Sequence, residues 1–332
     1  MNMEPIDFVL PWVDGSDPLW RAEKAKYDGT ILGDNAEVRY RDWEILPYLF
    51  RGFEQFTPWV RKIHFVTWGH LPSWLNIAHP KLNIVRHVDY IPPQYLPTFN
   101  SHTIELNFHR INGLADHFVY FNDDQFIIRP MKPEDFFRNG LPCDVFSLNT
   151  ICFKYATIGH ILASNIEIIN AHFKKNAQFR QNITKWLNYH YGFRCLARTM
   201  LLMPWSYFSG FYYQHIPCAY LKQTYELLWE LEGNRLEETC LCKFRGKTNV
   251  NQWIMEFWQL ASGAFFPTTP NRGHCYHIKE RNFKAALRAV RNQKYMLLCL
   301  NDTPKTKGFE KKKEKIKSAF ERVFPEKSSY EI

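Results

Sequence analysis

The stretch FVYFNDDQFIIRP, residues 118–130, is the most informative part of this sequence for the fold. Its first four residues are apolar and favour β structure, a pattern typical of a buried strand. The polar triplet Asn122-Asp123-Asp124 follows at once, and the apolar pattern resumes at Phe126. Because ligands of open α/β sheets bind outside the carboxyl ends of the strands, the triplet lies where a ligand site is expected.

The two neighbouring carboxylates of this triplet suggest a metal site. Asp123 and Asp124 would repel each other and lose solvation at the edge of a sheet, and a divalent cation would offset both costs. Oxygen ligands suit Mg²⁺ or Mn²⁺, which proteins usually share with the phosphates of a substrate. An ordinary solvated turn explains the triplet equally well. We predict that Asp123 and Asp124 hold Mg²⁺ or Mn²⁺.

Strand and helix patterns alternate along the first part of the chain. This alternation is typical of an α/β fold with parallel strands, so residues 1–130 are predicted to form a nucleotide-binding-like α/β unit. Residues 131–302 are predicted to be mostly helical and to complete a single catalytic domain, 1–302. The predicted strands are residues 6–13, 62–67 and 82–87, and the predicted helices are residues 43–56 and 102–114, the latter with Ser101 as its N-cap.

A second candidate ligand site follows the first predicted strand. Asp14, Gly15 and Asp17 belong to a turn with two carboxylates and a glycine. The turn matches neither GxGxxG nor a P-loop, so it carries no standard dinucleotide or triphosphate fingerprint. An ordinary Asp-Gly turn is an equally good explanation.

The composition narrows the classes of function. The 332 residues carry a net charge of +9, which favours anionic partners such as phosphates or anionic lipid. The basic residues outside the C-terminal tail are dispersed among carboxylates, which argues against nucleic-acid binding. Eight cysteines occur without a CxxC pair, and neither a signal-peptide pattern nor an apolar run of about 20 residues is visible. These features predict a cytoplasmic protein.

The C-terminal residues 303–332 form a basic amphipathic segment with nine Lys or Arg and five Glu. Residues 305–324 have helical spacing, with Ile316, Phe320, Val323 and Phe324 on one face and lysines around them. A helix packed on the body and a surface helix for anionic lipid both fit this pattern. From the second alternative we predict peripheral, salt-sensitive association with the inner face of the plasma membrane.

Four blocks of sequence, in order, resemble the Stealth proteins, a family that includes bacterial capsular polysaccharide phosphotransferases and an animal N-acetylglucosamine-1-phosphotransferase. The first block is IDFVLPWVDGSDP at 6–18. The second comprises residues 39–42, 58–75, 97–111 and YFNDD at 120–124. The third comprises His215-Ile216-Pro217 with Phe244-Arg245, and the fourth comprises residues 299–302 and 324–331.

The resemblance implies a Rossmann-like, glycosyltransferase-A-like core that binds a nucleotide sugar. It also implies metal-dependent transfer of hexose 1-phosphate from a UDP-hexose to a hydroxyl of a glycan or lipid-linked oligosaccharide. The product would be a phosphodiester in capsular or cell-surface polysaccharide, and UMP would leave. Since the acceptor oxygen would attack the β-phosphorus, the sugar C1–O bond would stay intact and its anomeric configuration would be retained.

The resemblance also assigns roles to individual residues. Asp123 and Asp124 would hold the metal, and Asp14, Gly15 and Asp17 would line the nucleotide end or support the metal. His215 is the first choice of general base and His109 the second. Phosphate oxygens would be bound by Arg41 and Arg245. The donor sugar would be bound, or the site completed, by Asn100, Ser101, Glu105, Arg110, Asn301 and Asp302.

Two other functions remain open from the sequence. An ordinary UDP-sugar glycosyltransferase on a similar fold would release UDP instead of UMP. A carbohydrate-binding protein without chemistry would release neither.

Overall fold

The computed structural model describes residues 4–27, 41–153, 158–303 and 306–332. Arg39 of the second matching block and Lys305 of the predicted tail helix lie outside these ranges. The strands are β1 (Ile6–Pro11), β2 (Ile63–Thr67), β3 (Leu82–Arg86), β4 (His117–Tyr120), β5 (Gln125–Ile127), β6 (Phe137–Arg138), β7 (Leu141–Asp144), β8 (Cys218–Leu221), β9 (Phe266–Pro267), β10 (Gly273–His277) and β11 (Leu297–Asn301). The α-helices are α1 (Pro18–Ala25), α2 (Leu46–Phe56), α3 (His87–Tyr90), α4 (Ser101–Leu106), α5 (Gly159–His172), α6 (Lys175–Trp186), α7 (Gly192–Leu202), α8 (Lys222–Leu241), α9 (Trp253–Ser262), α10 (Glu280–Arg291) and α11 (Phe309–Val323).

A five-stranded sheet in the order β3-β2-β1-β4-β8 forms the centre of the fold. Strands β1 to β4 are parallel, and β8 pairs antiparallel with β4. The run 3-2-1-4 is the start of the Rossmann strand order. The predicted Rossmann-like, glycosyltransferase-A-like α/β class is therefore confirmed at the level of the sheet, and helices dominate residues 131–302 as predicted.

Strand β1 is buried along its length because the sheet and a helix layer enclose it. Phe8 lies opposite Ile63 of β2 and Val119 of β4, and its ring contacts that of Phe53 in α2 at 4.9 Å between centroids. Fully buried aromatic side chains of this size are a main source of core stability. The strand thus has the apolar composition that a central parallel strand requires.

One carboxylate interrupts this apolar strand. Asp7 is fully buried, and it accepts hydrogen bonds from Arg61 Nε at 2.8 Å and from the backbone N–H of Ala115 at 2.8 Å. His64 Nε2 lies 2.9 Å from the same carboxylate. Burial raises the pKa of Asp7, but the bonds from His64, Arg61 and Ala115 outweigh it and lower the pKa below its ordinary value.

Helix α4 is shorter than the sequence predicts. It ends at Leu106 and is followed by the 3₁₀ turn Phe108–Arg110, whereas the apolar spacing predicts a helix to residue 114. The Asn107 side chain bonds to the carbonyl of Thr103 at 2.8 Å, an alternative that competes with helical continuation. The N-cap is also Asn100 and not Ser101, since Asn100 Oδ1 accepts from His102 N at 3.1 Å.

A second sheet, in the order β10-β11-β5, joins the C-terminal part to the turn after β4. Strand β11 runs antiparallel to β5, and Leu300 N donates to the carbonyl of Asp124 at 2.9 Å. Strand β10 runs parallel to β11, with Cys275 opposite Cys299. Residues near the end of the chain are thereby fixed beside residues 122–124.

The C-terminal segment is packed into the core. In α11 the side chains of Ile316 and Phe320 are buried, and Phe324 follows them. Phe320 stacks on Tyr48 of α2 at 5.3 Å, and Arg51 makes two bonds of 2.8 and 2.7 Å to the carboxylate of Glu331. The packed alternative is thus the one adopted, and this apolar face is not available to lipid. Within the described ranges, no helix combines the length and apolar character that crossing a bilayer requires.

Candidate active site

The triplet Asn122-Asp123-Asp124 lies at the carboxyl end of β4, as the sequence predicts. Strand β4 pairs with β1 on one side and with β8 on the other. The next strand, β5, leaves this sheet and pairs with β11. The triplet therefore occupies the junction of the two sheets, where residues from several parts of the chain meet.

Asp124 is the most heavily contacted member of the triplet. Its Oδ2 lies 3.3 Å from Cys299 Sγ, 3.3 Å from Asn301 Nδ2 and 3.7 Å from His215 Nε2. Burial raises the pKa of Asp124, but the charge of His215 and these contacts outweigh it and lower the pKa. Its other oxygen, Oδ1, is buried and has no hydrogen-bond partner among the described residues. A buried carboxylate oxygen without a partner is costly unless a ligand occupies it.

His215 precedes β8 in the loop that crosses the end of the sheet. Its Nε2 also lies 3.4 Å from Asn122 Nδ2, and its ring is 6.3 Å from that of Trp253. Burial lowers the pKa of His215, but the negative charge of Asp124 outweighs this and raises the pKa to about 9. In the free protein at neutral pH, His215 and Asp124 therefore form an imidazolium–carboxylate pair.

Asp123 has the opposite electrostatic environment. Its side chain is exposed to solvent, yet enough protein lies around it to desolvate the carboxylate. Desolvation is the largest contribution, followed by the charge of Asp124, and together they raise its pKa to about 7. Asp42 raises this pKa further, so the segment before α2 contributes negative charge here.

These residues fit a divalent cation. Oδ1 of Asp124 has no hydrogen-bond partner among the described residues, and the negative charge of Asp123 is disfavoured by desolvation and by Asp124. A cation would bind the first and stabilise the second, and carboxylate oxygens suit Mg²⁺ or Mn²⁺. Asp124, His215 and Cys299 place ligand atoms within 4.8 Å of one another, but the nitrogen and sulfur atoms of this second group suit Zn²⁺ better than Mg²⁺. The divalent-metal prediction is therefore supported, while the identity of the metal stays a prediction.

A chain of polar contacts extends from the triplet to Arg245. The hydroxyl of Tyr120 lies against Asn122 Oδ1 and is 3.0 Å from Glu105 Oε1. Arg245 donates to Ser101 Oγ at the start of α4. Burial raises the pKa of Glu105, and the positive charge of Arg245 opposes that shift. Since Tyr120 has a single proton for two acceptors, a protonated Glu105 satisfies the chain best.

Arg41 contacts the fourth matching block at residue 302 and the residue after it, 303. Its Nη2 lies 3.1 Å from Asp302 Oδ2 and 3.2 Å from the carbonyl of Thr303. Asn301, one residue earlier, bonds to Asp124. Arg41, Asn301 and Asp302 are therefore brought to the same end of the second sheet as the triplet.

The turn after β1 is stabilised by its own side chains. Asp14 Oδ1 accepts from Ser16, Arg21 Nε donates to the carbonyl of Gly15 at 2.6 Å, and Asp17 Oδ1 caps α1 by accepting from Trp20 N at 2.7 Å. Since β1 and β4 are parallel neighbours, this turn lies at the same edge of the sheet as the triplet. The local bonds are those of an ordinary turn, so the nucleotide-binding role of Asp14, Gly15 and Asp17 stays a prediction.

Three predicted site residues, Asn100, His109 and Arg110, contact other parts of the described chain instead of Asp124 or His215. Asn100 is buried, and its Nδ2 lies 3.1 Å from Asn249 Oδ1. His109 packs against the rings of Tyr225 and Trp229, and burial lowers its pKa to about 3. Arg110 lies over Trp229 at 4.8 Å. Within the described part of the chain, no recorded hydrogen bond or ring contact joins these three to Asp124 or His215.

Sequence reasoning missed the thiol pair beside Asp124. Cys275 Sγ lies 3.3 Å from Cys299 Sγ, which in turn contacts the Asp124 carboxylate. It also missed Asn122 and Tyr120 as site residues, although both lie in the stretch 118–130. The position of Cys299, two residues before Asn301, was the available signal.

Comparisons with known proteins identify the family of this chain. The family model for Stealth protein conserved region 1 matches residues 4–31, and the one for conserved region 2 matches residues 39–143. A capsular polysaccharide phosphotransferase, WcwK of Streptococcus pneumoniae, is 41% identical over 99% of both chains. The receptor polysaccharide phosphotransferase WefC of Streptococcus gordonii is 38% identical over 99% of this chain and 100% of its own length.

Two further similarities were found. The exopolysaccharide phosphotransferase cps2G of Lactiplantibacillus plantarum is 36% identical over 98% of this chain and 96% of its own. A solved structure of the WbbM bifunctional glycosyltransferase in its apo form covers 96% of this chain and 52% of its own, with a TM-score of 0.36 and 11% identity. The three phosphotransferases are 36–41% identical to this chain over nearly its full length, and both Stealth conserved regions match. This chain is therefore a phosphotransferase that belongs to the Stealth family.

Proposed function

We propose that this enzyme transfers hexose 1-phosphate from a UDP-hexose to a hydroxyl of a glycan or lipid-linked oligosaccharide during synthesis of a surface polysaccharide. The observation that carries the proposal is the buried, partnerless Oδ1 of Asp124 beside Asp123 and His215 at the end of the central sheet. Phosphoryl transfer needs charge neutralisation, positioning and a base, and each has a candidate here.

The reaction balances with the groups available. The acceptor hydroxyl oxygen forms a bond to the β-phosphorus, and the bond between that phosphorus and the oxygen shared with the α-phosphate breaks. UMP leaves with the bridging oxygen, and the hydroxyl proton goes to Nε2 of His215. A divalent cation held by Asp123 and Asp124 would neutralise the diphosphate.

His215 must be neutral before it can accept that proton. Its pKa of about 9 in the free protein reflects the negative charge of Asp124 at 3.7 Å. Positive charge placed at Asp124 weakens this attraction and lowers the pKa toward the working range of a general base. His215 is thus supported as a base in the loaded enzyme only.

The arginines act on the phosphate groups in this proposal. Arg41 already faces the carboxylate of Asp302, and Arg245 faces Ser101 and, at longer range, Glu105. Both guanidinium groups are held in place before substrate arrives, which lowers the ordering cost of binding an anion. Asn301, fixed on Asp124, completes the site from the C-terminal side.

A cytoplasmic site of action follows from the proposed donor and agrees with the thiols. All eight cysteines are free, including the close pair Cys275 and Cys299. Such a pair persists as thiols in a reducing compartment.

The experiment that tests the proposal is incubation of the enzyme with a panel of UDP-sugars, a glycan acceptor and Mg²⁺ or Mn²⁺, followed by analysis of the released nucleotide. UMP together with a phosphodiester product is expected. Release of UDP would instead identify an ordinary glycosyltransferase, and donor binding without any released nucleotide would identify a carbohydrate-binding protein. The Asp123→Asn variant is the control for metal-dependent release.

A further inference from the structure

We propose that the enzyme docks on an anionic lipid surface through one exposed aromatic and basic face, formed by residues 189–207. This surface is separate from the tail segment and from the residues of the candidate site, and only its link to a lipid-linked acceptor rests on the proposed function. It comprises the 3₁₀ turn Tyr189–Tyr191, helix α7 and the loop that follows.

The first observation is a cluster of exposed apolar side chains. Large hydrophobic residues that are exposed elsewhere in the described chain are scattered, but six fall within these 19 positions. Their exposed fractions are 79% for Tyr189, 84% for Phe193, 54% for Met200, 73% for Leu201, 58% for Trp205 and 70% for Tyr207. Six large exposed apolar side chains within so short a segment are uncommon on a soluble protein and point to an interaction site.

The second observation is the orientation of α7. Cys195 and Thr199 face the body, where Ser147 Oγ donates to the Cys195 carbonyl and Leu148 N donates to Thr199 Oγ1. Phe193, Met200 and Leu201 have the spacing i, i+7, i+8, so they share the opposite, solvent-facing side of the helix. These three apolar side chains therefore lie outside the core because of the orientation of α7, and not because the end of the helix is unwound.

The third observation is charge. Residues 168–225 contain no Asp or Glu but seven Lys or Arg, whereas the average over the chain is one acid in about ten residues. Arg194, within the stripe, is exposed, and Lys174 is exposed at the start of α6. Within residues 189–207 the two charged side chains, Arg194 and Arg198, are both basic, so the surface combines apolar side chains, Trp and Tyr with positive charge, which is the signature of an interfacial membrane segment.

This charge pattern selects among the possible occupants. A second copy of the chain, docked by two-fold symmetry, would bring the same positive surface against itself. A glycan would stack on the aromatic rings but would gain little from Met200 and Leu201. An anionic leaflet attracts the cations and accepts the aliphatic and aromatic side chains at once.

The surface is also connected to the active site through the chain. Tyr207 is only eight residues before His215. Phe208, between them, is buried against Phe211, and its N–H donates to Asn170 Oδ1 at 2.8 Å. Docking would therefore hold the loop that carries His215 near the lipid surface, where a lipid-linked acceptor would be.

The test is sedimentation of the full-length protein with vesicles of phosphatidylcholine and phosphatidylglycerol, at low and high salt. We expect binding at low salt that weakens at high salt and is absent with pure phosphatidylcholine. Phe193→Ser with Leu201→Ser should lower the bound fraction about ten-fold or more. The matched control, Ile77→Ser with Val88→Ser, removes two apolar side chains of 60% and 62% exposure elsewhere and should bind as the wild type.

Two charge-reversal variants distinguish binding through this surface from binding through the tail helix. Arg194→Glu should weaken binding, while Lys311→Glu with Lys315→Glu in α11 should not. Wild-type protein that stays in the supernatant at low salt would overturn the proposal, as would vesicle binding that only the α11 variant abolishes. A dimer in light scattering that Phe193→Ser disperses would overturn it in favour of a second copy. Circular dichroism melts verify that each variant is folded.

Discussion

Arg41 and Asp302 form an ion pair of 3.1 Å between Nη2 and Oδ2, although they lie near opposite ends of the chain. Arg41 also bonds to the carbonyl of Thr303 and lies over the ring of Phe309 at 5.1 Å between the guanidinium carbon and the ring centroid. The pair connects the segment before α2 to the residue that follows strand β11. It thus joins the second and fourth family blocks at the end of the site that carries Asn122, Asp123 and Asp124.

This ion pair gives the first prediction. Arg41→Ala should reduce turnover by about 10²-fold or more, because a group positioned to bind phosphate is lost. The stability cost should be small, since partly exposed ion pairs contribute about 0–1 kcal/mol. Steady-state kinetics and urea unfolding of Arg41→Ala, Asp302→Ala and the double variant measure both effects. A large stability loss with unchanged turnover would make Arg41 a purely structural residue.

The carboxylates of the triplet give the second prediction. Asp123→Asn and Asp124→Asn keep the shape of the side chain but remove a charge, so each should lower turnover by at least about 10²-fold. Each should also weaken Mn²⁺ binding measured by isothermal titration calorimetry. The matched control is Asp116→Asn, an exposed acid one residue before β4, which should change neither quantity. Turnover that persists in EDTA would remove the metal from the mechanism.

The two candidate histidines give the third prediction. His215→Ala should lower turnover about 10²–10⁴-fold while donor affinity changes little, because a general base contributes mainly to the chemical step. His109→Gln should retain most of the activity, since His109 packs on Trp229 and burial holds its pKa near 3, too low for a base at neutral pH. Parallel measurements of kcat and of UDP-sugar binding separate the two residues.

Two results would contradict the assignment of His215 as the general base. If His215→Ala loses donor affinity in proportion to turnover, His215 binds substrate and does not act as the base. If His109→Gln is as inactive as His215→Ala while its circular dichroism melt is unchanged, the assignment of the base is reversed.

The sequence predicted strand β4 and the turn after it well because their signal is local. A buried strand followed by Asn-Asp-Asp is contained in a few residues, and the structure has the strand at His117–Tyr120. The partners of that turn come from elsewhere: Cys299 and Asn301 reach Asp124 only because β11 pairs antiparallel with β5. Strand pairing between distant segments leaves no periodic signal, so these contacts could not be derived from spacing.

One local error, the predicted length of helix α4, has a local cause. The apolar spacing past Leu106 continued to suggest a helix, but the Asn107 side chain competes for the backbone and the helix ends there. That early end moves His109 and Arg110 off the helical face that carries Glu105. The tail helix shows the converse: its amphipathic pattern was read correctly, while the pattern alone could not say whether Phe320 faced protein or lipid.

The fourth prediction concerns stability and rests on Asp7. The folded pKa of Asp7 lies below its ordinary value of 3.8, so the unfolded state binds more protons as the pH falls. The stabilisation is therefore complete at pH values well above 4 and is lost as the pH falls through the folded pKa. Asp7→Asn removes the charge that Arg61 and His64 face, and breaking a buried pair of this kind costs about 3–5 kcal/mol.

Urea unfolding of the wild type and of Asp7→Asn at neutral pH and at about pH 3.5 measures this effect. The difference in unfolding free energy should be largest at neutral pH and should shrink at the acid end, because Asp7 of the unfolded wild-type chain then binds protons more readily than Asp7 of the folded protein. Arg61 can turn toward solvent in the variant, while His64 stays buried without its partner, so the lower end of the range is expected. A difference that does not depend on pH would mean that Asp7 stabilises β1 through shape and hydrogen bonding alone.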